Sequence, residues 1–250
     1  SENKDIISAD SYFRIEILRK YFVDTDGVEI AENNVAFRLF LNAQGIADDG
    51  MDLPLYKSYF AHNLDDFPKE QQILEDIKEL SKMVTALKKA PVAESYSGPM
   101  LMTGEASSVF FHEIFGHRIE GARLKQETDA QTFKKKVGQL VLPEDFTLYF
   151  DPQLKKYKGI PLSGNYVFDD EGVRGQKVTI VEDGILKSFL MSRVPITGFG
   201  KSNGHGRGMI YFDPVTRQSN MILESKKPKT EQQLRTMLIE EAKRTGKEYG

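Results

Sequence analysis

The segment Lys177–Leu190, KVTIVEDGILKSFL, decides the fold class of this chain. Its two halves, Lys177–Val181 and Ile185–Leu190, are rich in β-branched and aliphatic residues, and they flank the turn sequence Glu182-Asp183-Gly184. This arrangement predicts a β-hairpin. Because a hairpin pairs its strands antiparallel, the sheet that contains it cannot be wholly parallel.

Further strand patterns lie outside this hairpin. Tyr12–Val23 runs into a turn at Thr25-Asp26-Gly27, and Val35–Leu41 predicts a neighbouring antiparallel strand. Two shorter strands are predicted at Pro99–Met102 and Phe146–Phe150. The chain therefore supplies several antiparallel strands in addition to the hairpin.

Helical patterns complete the prediction. Apolar residues recur at helical spacing from Ile73 to Leu87, and Thr230 with Gln233 has the spacing of a capping box at the start of a final helix. The stretch between residues 48 and 66 is irregular and receives no assignment. The predicted fold class is α+β, with mixed or antiparallel sheets, a long connecting helix and a buried helix that carries the motif described below.

Composition excludes several classes of protein. The 250 residues include 40% hydrophobic and 28% charged residues, which is typical of a globular protein. No apolar run reaches the ~20 residues that cross a bilayer, so no membrane association is expected. A net charge of −3 provides no attraction to nucleic acid. No signal-peptide pattern is visible at the start. A cytoplasmic location is expected.

The segment Phe111–His117, FHEIFGH, carries the candidate chemistry. His112 and His117 stand with Glu113 in a run of large apolar residues, and a helix that is apolar all round is usually buried. Buried histidine and glutamate need partners, and a divalent cation is one. Two imidazoles beside a carboxylate are typical of sites that activate water on Zn²⁺, so the pattern suggests a metal-dependent hydrolase.

The spacing of the two histidines predicts a break in the helix. On a regular α-helix, side chains five residues apart diverge by roughly 140°. A single ion could be reached by both only if the helix carries a π-bulge or unwinds at Gly116. We therefore predict a local distortion within Ile114–His117.

Other interpretations of the motif stay open. Both histidines could instead be core residues satisfied by hydrogen bonds. A third ligand is also required, and Glu120 either supplies it or accepts a hydrogen bond that orients a histidine, the second role being preferred. The chain contains no cysteine that could ligate zinc.

Four segments together resemble the TldD/PmbA family of metalloproteases, some of which are labelled modulators of DNA gyrase. The stretch HEIFGHRIEG, preceded by GEASSVFF, is similar to the H-E-x-x-x-H signature of the TldD-like branch. The other segments are Asp169–Arg193, Ser202–Gly208 and Arg217–Asn220. They follow one another in the family's order, which is more specific than one short motif.

The resemblance implies a role for each matching residue. His112 and His117 would bind zinc, Glu113 would be the catalytic base, and Asn203, His205 and Arg207 in the glycine-rich loop would contact substrate. The family's third zinc ligand is a cysteine from its C-terminal region. Residues 1–97 would then be the second half of an N-terminal α+β domain with a linker helix. Residues 98–250 would be a motif-bearing domain truncated before its C-terminal part, and this fragment could be inactive.

The resemblance also implies partners. The family cleaves unfolded or flexible peptides and forms homodimers, or heterodimers with a PmbA-like subunit. The alternative function is a non-catalytic peptide-binding or regulatory subunit, and a gyrase-linked nucleic-acid protein is a further class. Asp169–Gly172 precedes the hairpin and is interpreted as a structural turn rather than an acidic site.

Overall fold

A computed structural model of the chain describes residues 3–125, 131–209 and 211–250. Its contacts divide the chain into two compact units. The first comprises Ser1–Tyr21, Ala31–Ser95 and Lys156–Ser163, and the second comprises Phe22–Ile30, Tyr96–Lys155 and Gly164–Gly250. Helices and antiparallel strands occur in both units, as the α+β prediction requires.

The first unit is built on a three-stranded sheet. Its strands β1 (Ser8–Val23), β2 (Glu29–Ile46) and β3 (Asp52–Ala61) lie in that order, and β2 pairs antiparallel with β3. Helix α1 (Glu70–Lys89) packs against β3 and buries Leu80 and Val84. The helix ends as predicted, since Lys88 and Lys89 and then Pro91 follow its apolar stripe.

Strand β3 lies in the region that received no assignment from sequence. Its side chains alternate between more and less buried positions, which is the period of a strand. Pro54 obscures this pattern because proline cannot donate a ladder hydrogen bond. Its position is compatible with the sheet because β3 is an edge strand.

The second unit holds a four-stranded antiparallel sheet. Its strands are β4 (Phe146–Phe150), β7 (Val178–Glu182), β8 (Ile185–Leu186) and β11 (Met221–Ser225), and they lie in the order β11-β4-β7-β8. The remaining strands have two residues each: β9 (Gly206–Arg207) and β10 (Val215–Thr216) lie in the second unit, whereas β5 (Lys156–Tyr157) and β6 (Ile160–Pro161) lie in the first. Strand β4 and the hairpin were both predicted, although β8 is shorter than expected.

Two helices belong to the second unit. Helix α2 (Gly104–Ile114) carries the motif, and helix α3 (Glu231–Arg244) begins at the predicted capping box of Thr230 and Gln233. The segment Pro99–Met102, predicted as a strand, is not in a strand. The backbone of this segment takes no part in a β-ladder. None of the described helices is both long enough and apolar enough to cross a membrane.

The core of the second unit lies between its sheet and the segment that follows α2. Its fully buried members include Leu148, Phe150, Ile180 and Leu190 from the sheet region. Phe115 and Ile119, which flank His117 in sequence, belong to the same cluster. The motif is therefore fixed to the sheet by the residues around it.

Candidate metal centre

Helix α2 places the first half of the motif in its last turn. The hydroxyl oxygen of Thr103 accepts a hydrogen bond of 3.3 Å from the backbone N–H of Ala106, which caps the helix. The last α-helical residue is Ile114, so His112 and Glu113 project from the final turn.

The helix breaks where the spacing predicts. Phe115 has φ −117° and ψ −56°, and a 3-10 helix, Gly116–Ile119, follows it. The prediction of a distortion within Ile114–His117 is confirmed, and its form is a change from α to 3-10 geometry. This change brings the imidazole rings of His112 and His117 to a centroid distance of 4.5 Å.

Three side chains of the motif converge. One ligand atom each from His112, Glu113 and His117 lies within 4.8 Å of the other two. Nε2 of His112 is 3.9 Å from Glu113 Oε1, and Nε2 of His117 is 4.0 Å from Glu113 Oε2. Two ligand atoms that each lie about 2.05 Å from a tetrahedral zinc ion are about 3.3 Å from each other. The donor atoms here are slightly farther apart, so a small movement of the side chains toward one another would bring them to zinc-binding distance.

The motif is more exposed than the sequence suggested. The side chains of His112, His117 and Glu113 are 45%, 33% and 63% exposed, and α2 contains no buried residue. The prediction of a buried motif helix is therefore wrong. The apolar residues of α2 do not all pack inward, since Val109 and Phe110 are exposed and the core receives the residues after the helix instead.

This exposure removes burial as a reason to expect a metal. Solvated imidazoles need no cation to offset the cost of burial. The case for a metal centre therefore rests on the convergence of His112, Glu113 and His117, and on what holds His117 in place.

A buried carboxylate stands directly behind His117. Glu120 is 1% exposed, and its oxygen Oε1 lies 3.0 Å from Nδ1 of His117. The backbone around it is anchored, because the N–H of Leu190 donates to the carbonyl of Ile119 and the N–H of Gly121 donates to the carbonyl of Leu190. A Cβ atom on Gly121 would lie 2.7 Å from that Leu190 oxygen, so only glycine permits this approach.

Glu120 receives four N–H groups. Oε1 faces His117 and Nε2 of Gln218 at 3.4 Å, and Oε2 accepts from Nε of Arg123 at 2.6 Å and from a guanidinium nitrogen of Arg217 at 3.1 Å. A carboxylate only accepts, so Nδ1 of His117 carries the hydrogen, and in the neutral ring Nε2 keeps its lone pair. That lone pair lies on the side of Glu113, where a metal would bind.

The glycine-rich loop has an internal role. His205 is fully buried, and its ring contacts Oδ1 of Asn203 at 3.0 Å and the hydroxyl of Ser219 at 3.0 Å. Burial lowers the pKa of His205 to about 4. The His205 ring has no access to solvent in this structure, so the geometry gives no support to the predicted substrate contact.

Asn203 and Arg207, the other two residues predicted to contact substrate, also make contacts within the protein. The amide of Asn203 accepts from the backbone of Met191 and donates to the carbonyl of Phe189. Arg207 pairs with Asp170 at 3.0 Å and lies 4.2 Å from the ring centroid of Tyr166. Both side chains hold the loop, so these contacts give no support to a role in substrate binding.

Asp169–Gly172 forms the turn that was expected. Asp169 is buried, and its Oδ1 accepts hydrogen bonds from the backbone of Glu171 and Val173. Its second oxygen accepts from the N–H of Gly206. The carboxylate is used to fix two loops together, which agrees with a structural role.

Arg217 and Gln218 are the site residues that sequence reasoning did not assign. Both contact Glu120, and Nε2 of Gln218 also lies 3.3 Å from Nδ1 of His117. The available signal was the motif-like run Arg217–Asn220. The sequence could not show that this run lies beside the histidines, because about a hundred residues separate them.

Comparison with known proteins identifies relatives of this chain. Residues 95–245 match the family model described as the PmbA/TldA metallopeptidase C-terminal domain. A metalloprotease from Methanothermobacter thermautotrophicus is 32% identical over 81% of this chain. A zinc metalloprotease TldD homolog from Saccharolobus solfataricus is 28% identical over 56% of it.

A solved structure shares the fold. It is a Thermotoga maritima protein described as a candidate modulator of a DNA gyrase, with a TM-score of 0.73 and 19% identity over 95% of this chain. The chain spans 43% of the Methanothermobacter relative, 29% of the Saccharolobus relative and 52% of the Thermotoga chain.

Proposed function

Because the chain belongs to the PmbA/TldA metallopeptidase C-terminal domain family, we propose that it carries the HExxxH part of a zinc-dependent peptidase site. The convergence of His112, Glu113 and His117 within 4.8 Å is the observation that carries the proposal. In this proposal the two histidines hold zinc through their Nε2 atoms, and Glu113 is the catalytic base.

The chemistry follows from the positions of these side chains. When bound, zinc supplies a Lewis acid that makes water a nucleophile near neutral pH. Glu113 is exposed, and its two oxygens face the two histidines, so it can take a proton from the attacking water and pass it to the leaving amine. Glu120 holds the Nδ1 hydrogen of His117 throughout.

The remaining features of the proposal concern the whole protein. A cysteine outside these 250 residues would complete the zinc site, since the chain contains none. Substrates would be unfolded or flexible peptides, and the protein would act in the cytoplasm as a homodimer or with a PmbA-like subunit. These features follow from the family rather than from any contact in this chain.

The deciding experiment is Glu113→Gln in the complete protein, with zinc content and peptide cleavage measured together. Loss of a general base typically costs ~10²–10⁴-fold in rate, and we expect that loss with zinc retained. Glu105→Gln is the matched control, because Glu105 is an exposed carboxylate in the first turn of the same helix. Full cleavage by the Glu113→Gln variant would reject the catalytic role.

A second candidate is favoured by one observation. Among the described residues, the cluster of candidate ligands consists of His112, Glu113 and His117, so Glu113 could itself be a ligand. A metal-holding but non-catalytic peptide-binding subunit would then result. In that case Glu113→Gln would release zinc, and the wild-type protein would hold peptides without cleaving them.

A further inference from the structure

Two residues from a distant part of the chain contact Glu120, the buried carboxylate that is hydrogen-bonded to the candidate zinc ligand His117. We propose that Arg217 and Gln218 are positioning residues, which fix the tautomer and ring orientation of His117 through Glu120. The inference rests on the proposed function, in which Nε2 of His117 binds zinc. Neither residue would touch the ion or the reacting atoms.

Glu120 has a full set of hydrogen-bond donors around its carboxylate. A carboxylate offers about four acceptor positions, and His117, Arg123, Arg217 and Gln218 supply one N–H each. Because Nδ1 of His117 already carries a hydrogen, Nε2 of Gln218 cannot donate to it and donates to Oε1 of Glu120. The ring is thereby confined to the tautomer that leaves Nε2 free.

Arg217 also contributes charge to the site. Glu120 is almost completely buried, and a buried carboxylate is costly unless it is paired. Arg123 and Arg217 provide positive charge on Oε2. Removing Arg217 therefore takes away positive charge that stabilises the carboxylate of Glu120, to which His117 is hydrogen-bonded. Arg123 comes from the same local segment as Glu120, whereas Arg217 links that segment to a remote part of the chain.

Hydrogen bonds anchor the segment that carries Arg217 and Gln218. The N–H of Arg217 donates to the carbonyl of His205, and the hydroxyl of Ser219 contacts the ring of His205. Asn220 accepts from the N–H of Gly164 and donates to the carbonyls of Asp151 and Leu154. Arg217 and Gln218 thus project from backbone that is held on both sides. Such backbone can position a side chain accurately.

The side-chain amide of Gln218 lies against Gly116. A Cβ atom at this position would lie 2.1 Å from Oε1 of Gln218, so the amide rests on the bare backbone of the motif. An alanine there would displace the end of a flexible side chain. Such a change costs little stability but removes the amide from Glu120 and His117. Gly116→Ala and Gln218→Ala should therefore remove the same interaction.

This equivalence gives a sharp test, a double-mutant cycle on zinc affinity in the complete protein. Loss of an outer partner of a histidine ligand typically weakens metal binding by ~10–100-fold, and we expect about 10-fold for each single variant. The double variant, Gly116→Ala with Gln218→Ala, should bind zinc as tightly as the single variant that has the lower zinc affinity. Zinc affinity is measured by competition with a chromophoric chelator.

The controls are matched to the two changes. Gly104→Ala adds a methyl group to the same helix with nothing within 4 Å, and Gln232→Ala removes an exposed glutamine from α3. Both should leave the zinc affinity unchanged. Wild-type affinity in Gly116→Ala and Gln218→Ala, or multiplication of their effects in the double variant, would overturn the proposal.

A second readout does not need the metal. The ¹⁵N shifts of His117 report which ring nitrogen carries the hydrogen, and the wild type should show Nδ1–H. Arg217→Ala should mix the tautomers, and Arg217→Lys should restore part of the preference by returning the charge. If the wild type binds no zinc, the proposed function fails, and an unchanged tautomer in Arg217→Ala and Gln218→Ala separately overturns the positioning role.

Discussion

The buried imidazole of His205 makes the stability of the second unit depend on pH. His205 is fully buried, and burial lowers its pKa from 6.5 to about 4. Above pH 6.5 the ring is neutral in the folded and unfolded chains alike, so it contributes no pH dependence. As the pH falls below 6.5, the unfolded chain takes up the proton first, and the free energy of unfolding decreases until the pH reaches about 4.

The magnitude follows from the size of the pKa shift. One pKa unit corresponds to about 1.4 kcal/mol, so the change from 6.5 to about 4 amounts to about 3 kcal/mol in total. About 2 kcal/mol of this loss should have occurred at pH 5. Other groups titrate in the same range, so the measurable quantity is the difference between the wild type and a variant in which residue 205 cannot titrate.

His205→Gln is that variant, because an amide can still pair with Ser219 and Asn203 but takes up no proton. Unfolding in urea is followed by circular dichroism and tyrosine fluorescence, since the chain has no tryptophan. Between pH 7 and pH 5 the wild type should lose about 2 kcal/mol more than the variant. Equal losses in the two proteins, or an NMR titration of the His205 ring near pH 6.5, would refute the reasoning.

Three further outcomes are expected. Zinc at about 1,000 times its dissociation constant should raise the free energy of unfolding of the complete protein by ~4 kcal/mol, and a chelator should abolish the gain; an unchanged melting temperature with zinc would contradict the proposed site. Thr230→Ala removes the capping box of α3 and should cost about 1 kcal/mol, whereas Thr236→Ala, an exposed change inside the same helix, should cost less. Asn220→Ala leaves one N–H and two carbonyl groups without their amide partner, so urea unfolding should show a loss of ~2–4 kcal/mol; a loss below about 1 kcal/mol would mean that water replaces the side chain.

Local patterns predicted most of the secondary structure. The strand Phe146–Phe150, the hairpin around Gly184 and the capping box at Thr230 all depend on residues next to one another in sequence. Such features are decided by turn chemistry and side-chain period. Strand β3 was not predicted because it contains Pro54, and proline is tolerated only in a strand at the edge of a sheet. The sequence does not show which strand lies at that edge.

The break in the motif could also be predicted from sequence. The spacing of His112 and His117 is incompatible with a regular helix if both face one point, and Gly116 marks where the backbone can change. The exposure of the histidines could not be predicted. The run of apolar residues around them is the same whether α2 or the segment after it enters the core.

The sequence by itself determined the chemistry that this chain can offer: two imidazoles and a carboxylate at a spacing that forces a bend. Only the tertiary structure decided that His205 is an internal residue, and that Glu120, Arg217 and Gln218 stand behind His117. The physical reason is distance along the chain. Hydrogen bonds between residues about a hundred positions apart form only when the fold brings distant segments together. The local conformational preferences of the residues do not predict which segments will meet.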